Sequence, residues 1–292
     1  MNRETEKNKI SQSTLYLVAT PIGNLADMSE RAIKTLSEVD FIAAEDTRNS
    51  LRLLNYFGIS KPLVSYYEHN KRERGEEIIE RLLAGESCAL ITDAGTPAIS
   101  DPGEDLVRLC AENGVAVTAI PGACAMVNAL ALSALSTVRF AFEGFLPVQK
   151  KQRRERLKEL SNEQRTFILH EAPHKLRGTL SDLAEALGGE RKIAICRELT
   201  KLNEEILRTT LANACEIYEE REPRGEYVLV IDGKNQAENK NDAERAELSV
   251  EELRGEVDKR MAEGLGKNAA IKAVAEANGM TRNVLYALLL EK

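Results

Sequence analysis

The sequence predicts an α/β protein: two α/β domains, the first built on a parallel sheet and the second on a mixed sheet, followed by a small helical domain. Two observations carry this. Strand, loop and helix patterns recur five times in about 120 residues near the start of the chain. Repeated right-handed crossovers with helices on both faces give a parallel sheet. The apolar run Cys88-Ala89-Leu90-Ile91 then empties into Thr92-Asp93-Ala94-Gly95, the pattern of a buried strand leading into a loop. In open parallel sheets, ligands bind beyond such strand ends.

In order, residues 14–20 read as a β-rich strand stopped by Pro21-Ile22-Gly23-Asn24, and a helix follows with Met28, Ala32, Leu36 and Val39 on one face. A short strand, 41–44, ends in Glu45-Asp46-Thr47-Arg48, and the next helix closes at Gly58. The strand 63–67 runs into Glu68-His69-Asn70, and an amphipathic helix carrying Ile78, Ile79, Leu82 and Leu83 stops at Gly85. After the fourth strand, a loop with two Gly and two Pro in nine residues has a tightly prescribed path that lets backbone approach a ligand. Asp101 is expected to cap the helix after it, with Pro102 at the first helical position and Glu104 completing a capping box. Gly114 stops that helix, and a fifth strand, 115–120, leads to Pro121-Gly122-Ala123 and a helix over 123–135.

Residues 139–145 carry the chain into the second domain. There a Lys- and Arg-dense helix, 149–160, precedes strand patterns at 166–170, 192–196, 206–211 and 227–231. The expected organisation is a disordered leader 1–13, a first domain 14–135, a second domain 136–233, a polar linker 234–248 and a helical tail 249–292. In the tail, Ser249 and Glu252 form a capping box, and helices over 268–277 and 281–290 flank the turn Asn278-Gly279-Met280. Both a helix-turn-helix and a plain helical hairpin fit that pattern.

Composition narrows the function classes. A hydrophobic content of 43% and a charged content of 30% describe a soluble globular chain, and no apolar run approaches the ~20 residues of a membrane span. The polar start holds no signal-peptide core, and five scattered cysteines without CxxC pairing read as reduced thiols of a cytoplasmic protein. A net charge of −7 argues against a general nucleic-acid coat but allows a local basic surface. One candidate is QKKQRRERLK, whose Lys150, Lys151, Arg153 and Arg154 form either a solvated helix face or an RNA-phosphate footprint.

Motifs exclude more than they select. P-loop, G-x-G-x-x-G and nucleophile-elbow patterns are absent. His170-Glu171-Ala172-Pro173-His174 spells a zinc motif, yet His170 ends a strand-like run and Pro173 disfavours helix before it, so no metal is expected. Charged side chains instead gather at strand ends: Glu45, Asp46 and Arg48; Glu68 and His69; Glu171 and His174; Arg197 and Glu198. Taken together these favour a site. Glu45, Asp46 and Arg48 are the first catalytic candidates, with His69 and Glu171 as alternates.

The segments LYLVATPIGNLADMSERAIKTL, AAEDTRNS, ITDAGTPAISDPG, IPGACA, FEGFLP, HEAPHKL and GEYVLVIDG, in that order and spacing, resemble the tetrapyrrole-methylase-like methyltransferases. The likeness covers roughly residues 14–233, and Thr20-Pro21-Ile22-Gly23-Asn24 replaces a Gly-rich first loop, as in the RNA-modifying branch. The resemblance implies S-adenosylmethionine as methyl donor, held between two α/β domains of that type, and a homodimer. It also implies methylation of a cytidine ribose 2′-hydroxyl in the decoding centre of 16S ribosomal RNA. By position, Pro21 and Gly23 of the first loop would line the donor pocket, with Asp93, Ala94, Gly95, Pro97, Ile99 and Ser100 of the fourth. Pro121, Gly122 and Ala123 would join them, as would Phe145, Leu146 and Pro147, then Gly225, Tyr227 and Val228. A small-molecule, tetrapyrrole-like methyltransferase and a non-catalytic nucleic-acid-binding protein are the alternatives.

Overall fold

Alternation along the strands decides which helix covers which face of the first sheet. In the computed structural model, which describes residues 9–234 and 250–277 with 285, 286, 288 and 289, five strands pair in the order β3-β2-β4-β1-β5. They are β1 Thr14–Val18, β2 Phe41–Ala44, β3 Leu63–Ser65, β4 Cys88–Ile91 and β5 Ala116–Ile120, and every pairing is parallel. Successive side chains of a strand point to opposite faces. Accordingly Ala89 and Ile91 of β4 pack with α1 Glu30–Glu38 and α2 Thr47–Tyr56, while Cys88 and Leu90 pack with α3 Lys71–Leu83 and α4 Glu104–Glu112. The helix stripe read from Met28, Ala32, Leu36 and Val39 is buried as expected. Neighbouring strands β1 and β4 send their connections to opposite faces, so the crevice of this sheet opens beyond their carboxyl ends.

The capping box expected at Asp101 does not form. Helix α4 begins at Glu104 after Gly103, which has φ 145°, and no side chain caps it. The reason is the loop's path: Ala98 and Ser100 both take left-handed φ values of 65°. Gly103 is pressed so closely on β4 that an added Cβ would lie 2.8 Å from Leu90 Cδ2. Asp101 is thereby released from helix capping.

The second sheet is mixed, in the order β6-β7-β10-β8-β9, with only β6 and β7 parallel. Its strands are β6 Phe140–Gly144, β7 Thr166–Glu171, β8 Lys192–Arg197, β9 Glu205–Thr210 and β10 Tyr227–Ile231. Helices α6 Lys150–Leu160, α7 Leu176–Leu187 and α8 Leu211–Glu220 cover one face. The other is covered by α5 Ala125–Leu132, whose Ala129 and Leu130 pack on Ile168, Val228 and Val230. Helix α5 is shorter than the expected 123–135 because the Ser133 hydroxyl donates to Leu130 O at 2.8 Å and Ala134 turns left-handed.

Both sheets belong to one compact unit, Met1–Asp232, and a second unit comprises Gly233–Lys292. In the second, α9 Val250–Ala262 and α10 Lys267–Ala277 pack through Leu253, Val257, Ile271 and Val274. The expected cap at Ser249, the turn at 278–280 and most of the last helix lie outside the described residues, as do 1–8 of the leader and 235–248 of the linker. No described helix is long and apolar enough to cross a membrane, and all five cysteines are free.

Candidate active site

The loops leaving the first sheet are stitched to one another. Thr20 and Gly95 exchange backbone hydrogen bonds of 2.9 and 3.0 Å, and the Thr20 hydroxyl donates to Thr92 O at 3.0 Å. The Thr96 hydroxyl donates to Ala123 O at 3.0 Å, so the loops after β1, β4 and β5 form one surface. Gly122 allows this contact, because a Cβ there would come within 2.8 Å of the Ala19 methyl. The second sheet supplies the facing wall. Its register sets Glu171, Tyr227 and Arg197 abreast at one edge, beside Phe145 beyond the end of β6. Gly23 meets this half so closely that a side chain would overlap Lys201 Cγ.

Between the two walls lies a cleft of about 360 Å³, within the range of small-molecule sites. Its apolar lining includes Ile22, Ile99, Phe145, Leu199 and Val228, and its polar lining includes Asp101, His170, Glu171 and Glu226. His170 sits between the rings of Phe142 and Phe145, with centroids 5.1 and 5.7 Å away. Burial lowers its pKa, and its buried Nε2 has no hydrogen-bond partner among the described residues. Glu171 is 5% exposed, takes a hydrogen bond from Ala172 N at 2.8 Å, and is bonded by the Thr179 hydroxyl.

The acidic side chains differ sharply in their electrostatics. Burial, then the charge of Glu45 and that of Asp93, raises the Asp101 pKa to about 6 against a weaker opposing pull from the Thr92 hydroxyl. Glu45 is also raised, first by burial and then by Asp93 and Asp46. Asp46 goes the other way. It caps α2 by accepting from Arg48 N at 2.8 Å and is clasped by the Arg48 guanidinium, which lowers its pKa to about 2.

Of the expected donor-site residues, Ala94, Ile99, Ser100, Phe145, Tyr227 and Val228 line the cleft, and Gly95 lines a small hollow that shares Ile22, Ala94 and His170 with it. Pro21, Gly23, Asp93, Pro97, Pro121, Gly122, Ala123, Leu146, Pro147 and Gly225 are not among the residues that line the cleft. Asp93 accepts from Asn49 Nδ2 at 3.1 Å. Glu171 reaches the cleft; Glu45 acts on it through its charge on Asp101; His69 lies instead in a surface hollow with Arg72, Glu73 and Glu76. His170 on β7 and His174 in a short 3-10 turn do not share a helical face, so HEAPH is not a helical zinc motif. On the basic helix, Lys150, Lys151 and Arg154 are exposed, whereas Arg153 turns inward to Asp182 and Thr179. Sequence reasoning missed Asp101 and Glu226. The signal for Asp101 was present in the dense loop, but it pointed equally to a helix cap.

A parallel sheet with its crevice closed by a mixed sheet makes a two-walled α/β protein with a cleft between the sheets, and residues 14–215 match the family of Tetrapyrrole (Corrin/Porphyrin) Methylases. The chain belongs to that family. It is 48% identical over 277 residues to Ribosomal RNA small subunit methyltransferase I of Synechocystis sp., covering 95% of this chain and 97% of that one. The protein of the same name from Halalkalibacterium halodurans is 45% identical, with 97% of each chain covered. Among solved structures, the fold resembles uroporphyrin-III C-methyl transferase from Thermus thermophilus complexed with S-adenyl homocysteine. That likeness has a TM-score of 0.53 at 17% identity and covers 75% of this chain and 97% of that one.

Proposed function

We propose that this protein transfers a methyl group from S-adenosylmethionine to the ribose 2′-hydroxyl of a cytidine in the decoding centre of 16S ribosomal RNA, within the small subunit and in the cytoplasm. The observation that carries the reading is the cleft at the switch point of the first sheet, with apolar walls for an adenosyl group and carboxylates for a cation. The match to full-length relatives bearing a ribosomal RNA methyltransferase name supports the substrate class.

The residues present fit such a donor. Ile22, Ile99, Leu199 and Val228 offer apolar surface, His170 Nε2, without a partner among the described residues, offers a polar contact, and Glu171 offers negative charge. When bound, the donor supplies an electrophilic methyl group. The loops fixed by the Thr20–Gly95 and Thr96–Ala123 bonds then hold the reactants in place, which lowers the barrier by positioning. A ribose hydroxyl is a weak nucleophile, so a general base assists. Asp101 is the carboxylate suited to that role: it faces the cleft, and its proton affinity lies nearer neutrality than that of Asp46. Glu45 tunes it through charge.

Exposed Lys150, Lys151 and Arg154 contact phosphates, and a second copy covers the outward Val127 and Leu132 of α5. Purified protein given methyl-labelled S-adenosylmethionine is expected to label ribose in small ribosomal subunits. Label in a porphyrinogen, or none in either acceptor, overturns the reading. Replacing Lys150, Lys151 and Arg154 by Ala is expected to weaken RNA binding and flatten its dependence on salt. Light scattering is expected to give a dimer mass.

A further inference from the structure

The basic helix and the cleft are joined by a line of hydrogen bonds that neither the donor site nor the RNA surface explains. Arg153 on α6 has a side chain only 18% exposed. Its Nε donates to Asp182 Oδ2 at 2.6 Å, and its Nη2 donates to the Thr179 hydroxyl at 2.8 Å. Thr179 is fully buried on α7, and its hydroxyl also bonds Glu171 Oε2. Arginine can only donate, so the Thr179 oxygen accepts from it and its single proton is left for Glu171. Donation therefore runs one way from Arg153 through Thr179 to Glu171, while Asp182 accepts on the other side of the guanidinium and anchors it, and each bond polarises the next.

At its inner end, Glu171 is almost wholly withdrawn from water yet borders the cleft. Two of roughly four acceptor positions on an ionised carboxylate are filled, by Thr179 and by Ala172 N. A carboxylate so placed is costly unless a donor or cation meets its remaining lone pairs. Glu226, the neighbouring acid of the cleft, already has the Lys201 ammonium at 2.8 Å. Resting on the functional reading above, we infer that Arg153 is a positioning residue: acting through Thr179, it aims the Glu171 carboxylate at a cationic group of the methyl donor. It is a strut of the donor site rather than a phosphate contact. The donor carries two such groups, the sulfonium and the ammonium.

Calorimetric titration of S-adenosylmethionine and of S-adenosylhomocysteine, which lacks the sulfonium charge, separates them. The proteins are the wild type, Glu171→Gln, Thr179→Val, Thr179→Ser, Arg153→Met and the double variant Glu171→Gln/Thr179→Val. Thr179→Val and Arg153→Met are expected to weaken binding about tenfold, a typical consequence of removing an orienting partner. Thr179→Ser, which keeps the hydroxyl, restores binding, and the double variant binds no worse than Glu171→Gln alone, the non-additivity of one linked unit. A larger loss for the methylated donor puts Glu171 at the sulfonium; equal losses put it at the ammonium. In parallel, Arg153→Met leaves the salt dependence of RNA binding unchanged. Wild-type binding with Thr179→Val unaffected, additive losses, or a salt slope reduced by about one contact in Arg153→Met overturns the inference while leaving the functional reading intact. A wild type that binds neither compound overturns both.

Discussion

The loops after β2 and β4 leave the same edge of the same sheet on neighbouring strands, and each carries an aspartate, Asp46 two residues past β2 and Asp101 ten residues past β4. Their fates differ. Asp46 begins a helix at once, capping α2 and clasped by Arg48, and holds its proton only below a pH of about 2. Asp101 lies at the end of an excursion through two left-handed residues that delivers it to the cleft, where burial and neighbouring acids raise its pKa to about 6. The comparison teaches that the acid able to take a proton is the one whose backbone was diverted from capping a helix. A capping carboxylate is stabilised as an anion and loses basicity.

The strongest way to break this contrast is Asp101→Asn. Turnover is expected to fall by about 10²- to 10⁴-fold, the usual contribution of a general base, with donor affinity retained in calorimetry. The same variant is expected to gain stability. With the folded pKa raised from 3.8 to about 6, the native state favours the protonated acid. That contribution is therefore fully present below pH ~4 and lost as the pH rises through ~6. Since Asp101 is only partly buried, screening reduces the gain in Asp101→Asn to about 1 kcal/mol at pH 8, vanishing at pH 4, as measured by denaturant unfolding.

Next in size, Gly103→Ala forces a side chain against Leu90 and Ala98 at a φ of 145°. A loss of about 1–3 kcal/mol is expected in chemical denaturation. A smaller effect sharpens the electrostatic part. In the wild type, kcat/KM is expected to rise about tenfold per pH unit and level off near pH 6. In Glu45→Gln the rise moves to lower pH, because a negative neighbour that held the proton on Asp101 is gone. Smallest of all, Asp46→Asn is expected to keep turnover within about twofold, since Asn caps a helix as well as Asp does. A large loss there would return the catalytic role to the β2 loop.

The fold was legible because burial leaves a repeating signature. Cys88 to Ile91 must satisfy two apolar faces at once, and the Met28, Ala32, Leu36 and Val39 stripe must meet one of them. The cleft was legible in part as a set of strand ends, since a parallel sheet brings the carboxyl ends of its strands to one edge. The end of β3 does not join it: His69 lies in a separate surface hollow. The environment of each charge was not legible. Arg153 reads as a surface cation until Thr179 and Asp182, 26 and 29 residues away, are folded beside it. Asp101 reads as a helix cap until the left-handed turns at Ala98 and Ser100 are known. Local spacing carries which residues share an element, whereas desolvation and partner choice arise only in the tertiary fold.

The central claim is that the cleft between the two sheets receives the adenosyl donor, and titration of S-adenosylhomocysteine into wild type and Ala94→Phe, by calorimetry, tests it most directly. Ala94 lines the cleft and is exposed there, so a bulky ring fills the cavity without disturbing the core. The account predicts one site per chain in the wild type and loss of binding in Ala94→Phe at an unchanged melting temperature. Equal binding by the two proteins would contradict it.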